Sequence, residues 1–346
     1  MMIMNIAIEL AQFHAIKFIA RELITLMGVK SHHKARRAFA GFLMSSMSST
    51  INAPNEGYIM RLLNGDTRSF DADLKYLRSK TDASTLVSKI RQMIYEYDDE
   101  IGRASRCSGL KVSAVDNGEF IDITASSSLI IDASTSRAKM KGITVSVNKS
   151  VYMSLSVILQ RRGYATDDVN SLILAMKLRY SLLADHESSL LAYSPQIYDM
   201  IPSTAKVLEM FASPFDSSSP YFCSLFPEVE CLVGSIGDAF MFECAHNMHI
   251  MEYFDYAVVH PPHVETIMER AATMIVSLID RGCKTQFIMM IPDWDIKGGN
   301  YRTYNTIKPY IRETLCTLTG EDFAAVSSSS QVHINPSGVV ALRISA

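Results

Sequence analysis

The chain has 346 residues, 48% apolar and 20% charged, with a formal net charge of −3. That balance supports a packed core and excludes collagen-like, disordered and disulfide-scaffold classes. It also excludes a chain that holds nucleic acid by bulk basicity, because only residues 1–105 lean slightly basic.

The six cysteines are scattered at 107, 223, 231, 244, 283 and 316, with no Cys-x-x-Cys pair. The scatter predicts reduced thiols and an intracellular protein, nuclear or cytoplasmic, of cellular or viral origin. The opening stretch MMIMNIAIELAQFHAIKFIARELITLMG is apolar, but Glu9, Lys17, Arg21 and Glu22 interrupt it. No uncharged run reaches the ~20 residues of a membrane span. No early charge and small-residue cleavage site mark a leader. The stretch reads as an amphipathic helix that packs on its own protein or on a partner, with no membrane involved.

In chain order, residues 5–27 carry apolar side chains at three- and four-residue steps, and Gly28 is a natural stop. KSHHKARRAFAGFLMSSM begins a second helix with a basic head, NAPNEG is a loop, and a third helix runs from Asp82. Its acidic cluster Asp98–Glu100 reads as a solvated face rather than a metal site. These segments predict a helical domain over 1–105. A small β-rich unit over 106–150 follows: LKVSAV, EFIDITA, SLIIDAS and GITVSVN alternate or run apolar between turn residues. Helical patterns return at 149–162 and 167–185. From about 205 the pattern is α/β, with strands expected at 253–259, 285–291 and 338–345. A helix over 264–281 has Val264, Ile267, Met268, Ala271, Met274, Ile275 and Leu278 on one face. A strand, an amphipathic helix and a second apolar strand predict a parallel pair, so the fold class is α/β.

YAVVHPPH (Tyr256–His263) places His260-Pro261-Pro262-His263 at a strand end, where open α/β sheets hold ligands. An Asn-Pro-Pro-aromatic turn at such an end suits adenine chemistry. An amide oxygen and a proline carbonyl accept the amine's two N–H groups while the ring stacks on the base. Placement near a methyl donor then does most of the work. Neutral His260 can accept one hydrogen bond but lacks the amide's paired donor and acceptor. Protonated, it repels the amine and a cationic donor. Gly234-Ser-Ile-Gly237 is the nearest approach to a Gly-rich donor loop, and a turn accounts for it equally.

Five segments occur in a familiar order: Phe211–Asp216, Phe222–Pro227, Val233–Gly237, His260–His263 and Ile291–Trp294. They resemble the Phe-Ala-Ser-Pro-Leu-Asn, Tyr-Cys-Ser-x-Phe-Pro, Phe-Gly-Ser-x-Gly, Asn-Pro-Pro-Phe and Ile-Pro-x-Trp segments of one family. These are the cap-specific adenosine-N6 methyltransferases of the phosphorylated-CTD-interacting-factor family. The likeness covers about 141–345; residues 1–105 share only helical character, and no WW segment is evident. It implies a Rossmann-like methyltransferase-type domain over 151–346, with leading helices. It further implies S-adenosylmethionine as cofactor, capped mRNA as substrate, and Ser213, Pro214 and Asp216 with Gly234 and Gly237 lining the donor pocket. His260, Pro261, Pro262 and His263 would line the adenine pocket.

Four departures from the family pattern concentrate at the site. His260 stands for Asn, His263 for Phe, Val258 for an acidic residue and Asp216 for Asn. The resulting expectation is a methyltransferase-fold pseudoenzyme that acts by binding RNA or a partner protein. Its alternatives are an active adenine-N6 methyltransferase on capped RNA and a His-rich metal-binding protein, in which His246-x-x-His249 folds onto His260-x-x-His263. A nucleophile among Cys223, Cys231 and Cys244 has no local mark of activation. Lys30, Lys34, Arg36 and Arg37 on the second helix would meet RNA phosphates, and Arg161, Arg162 and Arg179 would add a second basic edge.

Overall fold

The computed structural model describes residues 6–29, 32–48, 70–71, 74–75, 77–104, 110–126, 130–133, 136–139, 143–183, 195–297, 302–318 and 338–346. Lys30, Cys107 and the side chains of Asp98–Glu100 lie outside the described residues. The structure mixes helices with sheets and divides into two units, described in turn.

The first unit is built around α1 (Ile6–Met27). Its first half is buried nearly all round, while its second half buries Ile19, Leu23, Ile24 and Met27 and leaves Phe18 and Leu26 exposed. It packs against α2 (His32–Ser48), α3 (Ala83–Ala104) and α5 (Thr166–Ser181). Gly28 ends it at φ +60°, where a Cβ would stand 2.9 Å from Lys80 Cδ. Only glycine meets both demands without strain. Asp82 caps α3 by accepting the Thr85 N–H and the Ser84 and Thr85 hydroxyls. Led by the Ser84 hydroxyl, these bonds lower its carboxyl to about 2.

The alternating segments pair as an antiparallel sheet, β1 (Lys111–Asp116), β2 (Phe120–Ser126) and β5 (Ile143–Asn148), with β2 in the middle. β3 (Ile130–Ala133) and β4 (Ser136–Lys139) form a separate antiparallel pair. Ile121, Ile123, Ala125, Val145 and Val147 are buried while their sequence neighbours are wetter, as a one-sided sheet requires. α4 (Lys149–Arg161) and α5 cover the buried face.

The second unit holds α6 (Pro195–Asp199), β6 (Val207–Met210), α7 (Pro227–Glu230), α8 (Met248–Met251), β7 (Tyr256–Val259) and α9 (Glu265–Asp280). β8 (Gln286–Pro292), α10 (Asp293–Lys297), α11 (Arg302–Ile307), β9 (Ile311–Leu318) and β10 (Val339–Ile344) complete it. The sheet order is β6-β7-β8-β10-β9. β6, β7 and β8 run parallel, and β10 is antiparallel to both neighbours. Val258, Ile288, Met290 and Ala341 belong to a core that also holds Ile197 and Ile201. Ala257, Val259, Phe287 and Met289, which alternate with them, are equally buried. Burial on both faces explains why these strands read as unbroken apolar runs. The expected apolar face of α9, with Val264 ahead of it, is buried at every position from Val264 to Leu278 that the spacing marks.

Candidate functional site

β6 and β7 pair in parallel from Val207↔Tyr256 to Met210↔Val259, and Val259 pairs onward with Met289. The segments that follow them, Phe211–Asp216 and His260–His263, therefore emerge at one edge of the sheet. Two more segments join that edge. Isolated parallel bridges link Glu209 with Phe222 and Phe222 with Ser235. Cys223 N–H donates to the Glu209 carbonyl at 2.8 Å, Ala212 N–H to the Cys223 carbonyl at 2.9 Å, and Ser224 N–H to the Gly237 carbonyl at 3.0 Å. The sheet is thus extended past β6 by Phe222–Ser224 and then Ser235–Gly237. This brings together three segments that the sequence separates.

After β6, Phe211 takes φ +66° and turns the chain. Ser213 donates from its N–H and its hydroxyl to Asp216 Oδ1, at 2.6 and 2.7 Å. Asp216 thereby closes the loop on itself while remaining half-buried. Pro214 is buried beside it. Gly234 and Gly237 have φ +120° and +149°. A Cβ on Gly234 would meet Phe222 and the Pro220 carbonyl at 3.3 and 3.4 Å, and one on Gly237 would meet Met241 Sδ at 2.4 Å. Backbone conformation and close packing account for both glycines. They shape the loop rather than leave open space for a ligand.

At the end of β7, His260 is only 4% exposed. The His263 ring lies edge-to-face with it, centroids 5.5 Å apart. The Val264 N–H donates to the Pro262 carbonyl at 2.6 Å, so the turn itself uses one of the two proline carbonyls. Val258, at the position of the expected acid, is a fully buried strand residue. At the end of β8, Asp293 N–H donates to the Gly338 carbonyl, tying Ile291–Trp294 to the start of β10.

Three groups not singled out by motif reasoning hold this edge in place. Glu209, within β6, is fully buried and accepts the Ser218 and Ser219 N–H groups at 2.8 and 2.9 Å and the Tyr198 hydroxyl. Burial pushes its carboxyl up to about 8, against the Ser218 and Ser219 N–H groups, which lower it, and with the Asp216 charge, which raises it. Phe240 packs edge-to-face on Phe211 at 5.2 Å, and the Arg270 guanidinium lies over Phe240 at 3.9 Å. Arg270 also grips Glu243 through two bonds of 2.7 and 2.6 Å. A charged residue inside the apolar run VLEM was the one signal that pointed to Glu209, since a lone buried carboxyl needs a structural reason.

The remaining expected site residues lie elsewhere. Arg179 is not on a basic edge: it is 4% exposed, and its side chain is bonded to Glu9 of α1. Helix α5 sits between α1 and the sheet, so its long cation had to be neutralised inside. Lys34, Arg36 and Arg37 are exposed on α2, and Arg161 and Arg162 are exposed at the end of α4. The two His-x-x-His pairs do not converge, and among the described residues no group of three His, Cys, Asp or Glu side chains could hold a metal ion. His246 and His249 are exposed, and His249 Nδ1 lies 2.6 Å from the His246 carbonyl. Cys223 is fully buried and its thiol is raised well above its ordinary value by that burial, the opposite of an activated nucleophile. No helix among the described residues is long and apolar enough to cross a membrane.

The architecture defines a mixed helix-and-strand protein whose candidate site is assembled at the carboxyl edge of a parallel strand pair. Residues 145–321, more than half of the chain, match the family described as phosphorylated CTD interacting factor 1 WW domain, and the chain belongs to that family. The family takes its name from a WW domain, whereas the matched residues here carry α4, α5 and the strands from β5 to β9. No curated protein matches the chain significantly.

Proposed function

We propose that the second unit is a Rossmann-like methyltransferase-type domain that has lost adenine-N6 chemistry, and that the chain acts by binding RNA. Family membership and the parallel order β6-β7-β8 with an antiparallel β10 support the domain reading. The loss of chemistry rests on one observation: the polar residue at the end of β7 is a buried His260 stacked edge-to-face by His263. An imidazole carries its donor and acceptor on separate edges of the ring and cannot present the adjacent pair of an amide, and if protonated it would oppose a sulfonium donor.

The donor set fits S-adenosylmethionine in part. Asp216 is a half-buried carboxylate at the end of β6, suited to ribose hydroxyls, with Ser213 and Pro214 beside it. The Gly234 and Gly237 turns would border the donor without widening its space. Bound there, the donor would supply an electrophilic methyl group. This chain's part would be to orient it with Asp216 and to present the Pro261 carbonyl to an amine. Separately from that pocket, Lys34 and Arg37, exposed on α2 of the first unit, would contact RNA phosphates. The family's name speaks of a factor that interacts with a phosphorylated domain, which also supports a binding role.

Calorimetry with S-adenosylmethionine and with RNA capped on 2′-O-methyladenosine, followed by a methyl-transfer assay on that RNA, tests the reading. The expected result is RNA binding with no methyl incorporated. Methyl transfer to the adenine N6 at enzymatic rates would establish the alternative, an active methyltransferase.

A further inference from the structure

A half-open cleft of about 560 Å3 lies in the first unit, between α1, α2 and the end of α5. Its floor is aliphatic and aromatic: Ile16, Ile24, Phe39 and Leu43, all buried. Its rim carries Lys17 and Arg21, one turn apart on α1, and Arg36 from α2, all three exposed. Among the described residues no carboxylate lines the cleft, and Lys17 Nζ lies over the Phe13 ring at 4.8 Å. Ala20, small and half-buried between Lys17 and Arg21, leaves the opening to the floor. The cations are felt inside the helix as well. His14 is held below its ordinary pKa first by burial and then by Lys17 and Arg21.

We propose that this cleft docks an acidic amphipathic helix of a partner protein, with one or two apolar side chains on the floor and carboxylates against the three cations. Three features favour that occupant. Helices that bind in grooves anchor through apolar side chains at successive turns and gain orientation from charges along the rim. Single-stranded RNA needs accessible ring faces for its bases, and the one ring in the floor, Phe39, is 3% exposed. A cleft open along one side would leave a lipid chain wet, whereas the body of a partner protein covers it. The inference is independent of the methyl-transfer reading, because every lining residue belongs to the first unit while Asp216 and His260–His263 belong to the second, and Lys34 and Arg37 do not line the cleft.

The test uses the full chain and a fluorescein-labelled synthetic helical peptide with leucines four residues apart, flanked by glutamates, followed by fluorescence anisotropy. Saturable binding is expected, at least about tenfold weaker with Arg21→Glu, little changed with Arg21→Lys, and at least about tenfold weaker when the peptide leucines become serines. Ala20→Trp, which fills the opening without changing charge, should weaken binding similarly, with circular dichroism confirming that all three variants fold. Absence of binding, equal binding by the serine peptide, or indifference to Arg21→Glu overturns the proposal. So does tighter, Arg21-dependent binding of a single-stranded oligonucleotide, which would make the cleft a nucleic-acid surface.

Discussion

Arg179 on α5 donates from Nε and Nη2 to both carboxylate oxygens of Glu9 on α1, at 3.0 and 2.6 Å, with both side chains more than nine-tenths buried. The bidentate geometry satisfies the two charges in a place that water does not reach. Removing one partner strands the other. Arg179→Ala should therefore cost about 3–5 kcal/mol in denaturant unfolding. The double change Glu9→Leu with Arg179→Met should recover most of that loss, because similar apolar volume replaces the pair. A single variant within about 0.5 kcal/mol of the parent would show the pair to be dispensable.

Glu209 makes stability depend on pH. Its folded carboxyl, at about 8, lies above the ordinary 4.5, so the folded state holds a proton that the unfolded state releases first. The contribution is complete below about pH 4.5 and declines as pH rises to about 8. Asp295, raised to about 6 chiefly by burial and further by Glu265 and Glu269 against the Tyr304 N–H, adds a decline that ends near pH 6. Unfolding midpoints measured from pH 6.5 to 8.5 should fall in the parent protein. Glu209→Gln, which still accepts the Ser218 and Ser219 N–H groups, should flatten that interval. An unchanged slope would assign the proton elsewhere.

The cysteines should separate by burial. Cys231 and Cys244 are exposed, whereas Cys223 and Cys283 are buried. Brief alkylation of the native protein, read by mass spectrometry, is expected to label Cys231 and Cys244 and to spare Cys223 and Cys283 until denaturant is added. Rapid labelling of Cys223 would contradict the packing of the Phe222–Ser224 segment against β6.

At the end of β7, His260→Asn with His263→Phe restores the amide and the ring of the family pattern. If these two residues alone block the chemistry, the double variant should gain methyl transfer to adenosine-capped RNA that the parent lacks, detected with a labelled methyl donor. Gain by His263→Phe alone would instead place the block at the stacking position.

Much of the architecture was legible in the residues themselves. The 3.6-residue spacing of α9 marked the face that is buried, because a helix with one apolar stripe has one way to hide it. The apolar runs of β7 and β8 marked strands covered on both sides, and the Pro-Pro turn marked the edge where β7 stops. The antiparallel course of β10 was not legible. An apolar strand carries no record of its direction, which depends on how the chain returns to the sheet.

Side-chain chemistry at each position was written in the sequence: His260 at the end of β7, Val258 within it, and a glutamate inside VLEM. What each group does was decided by its neighbours in space. Arg179 reads as a surface cation until α1 brings Glu9 against it, 170 positions away. Glu209 reads as an anomaly until Tyr198, Ser218 and Ser219 close around it. Periodicity along the chain fixes which face of an element is buried, because burial follows local spacing. The charge state and partner of a buried polar group depend on contacts between distant segments, and those exist only once the chain has folded.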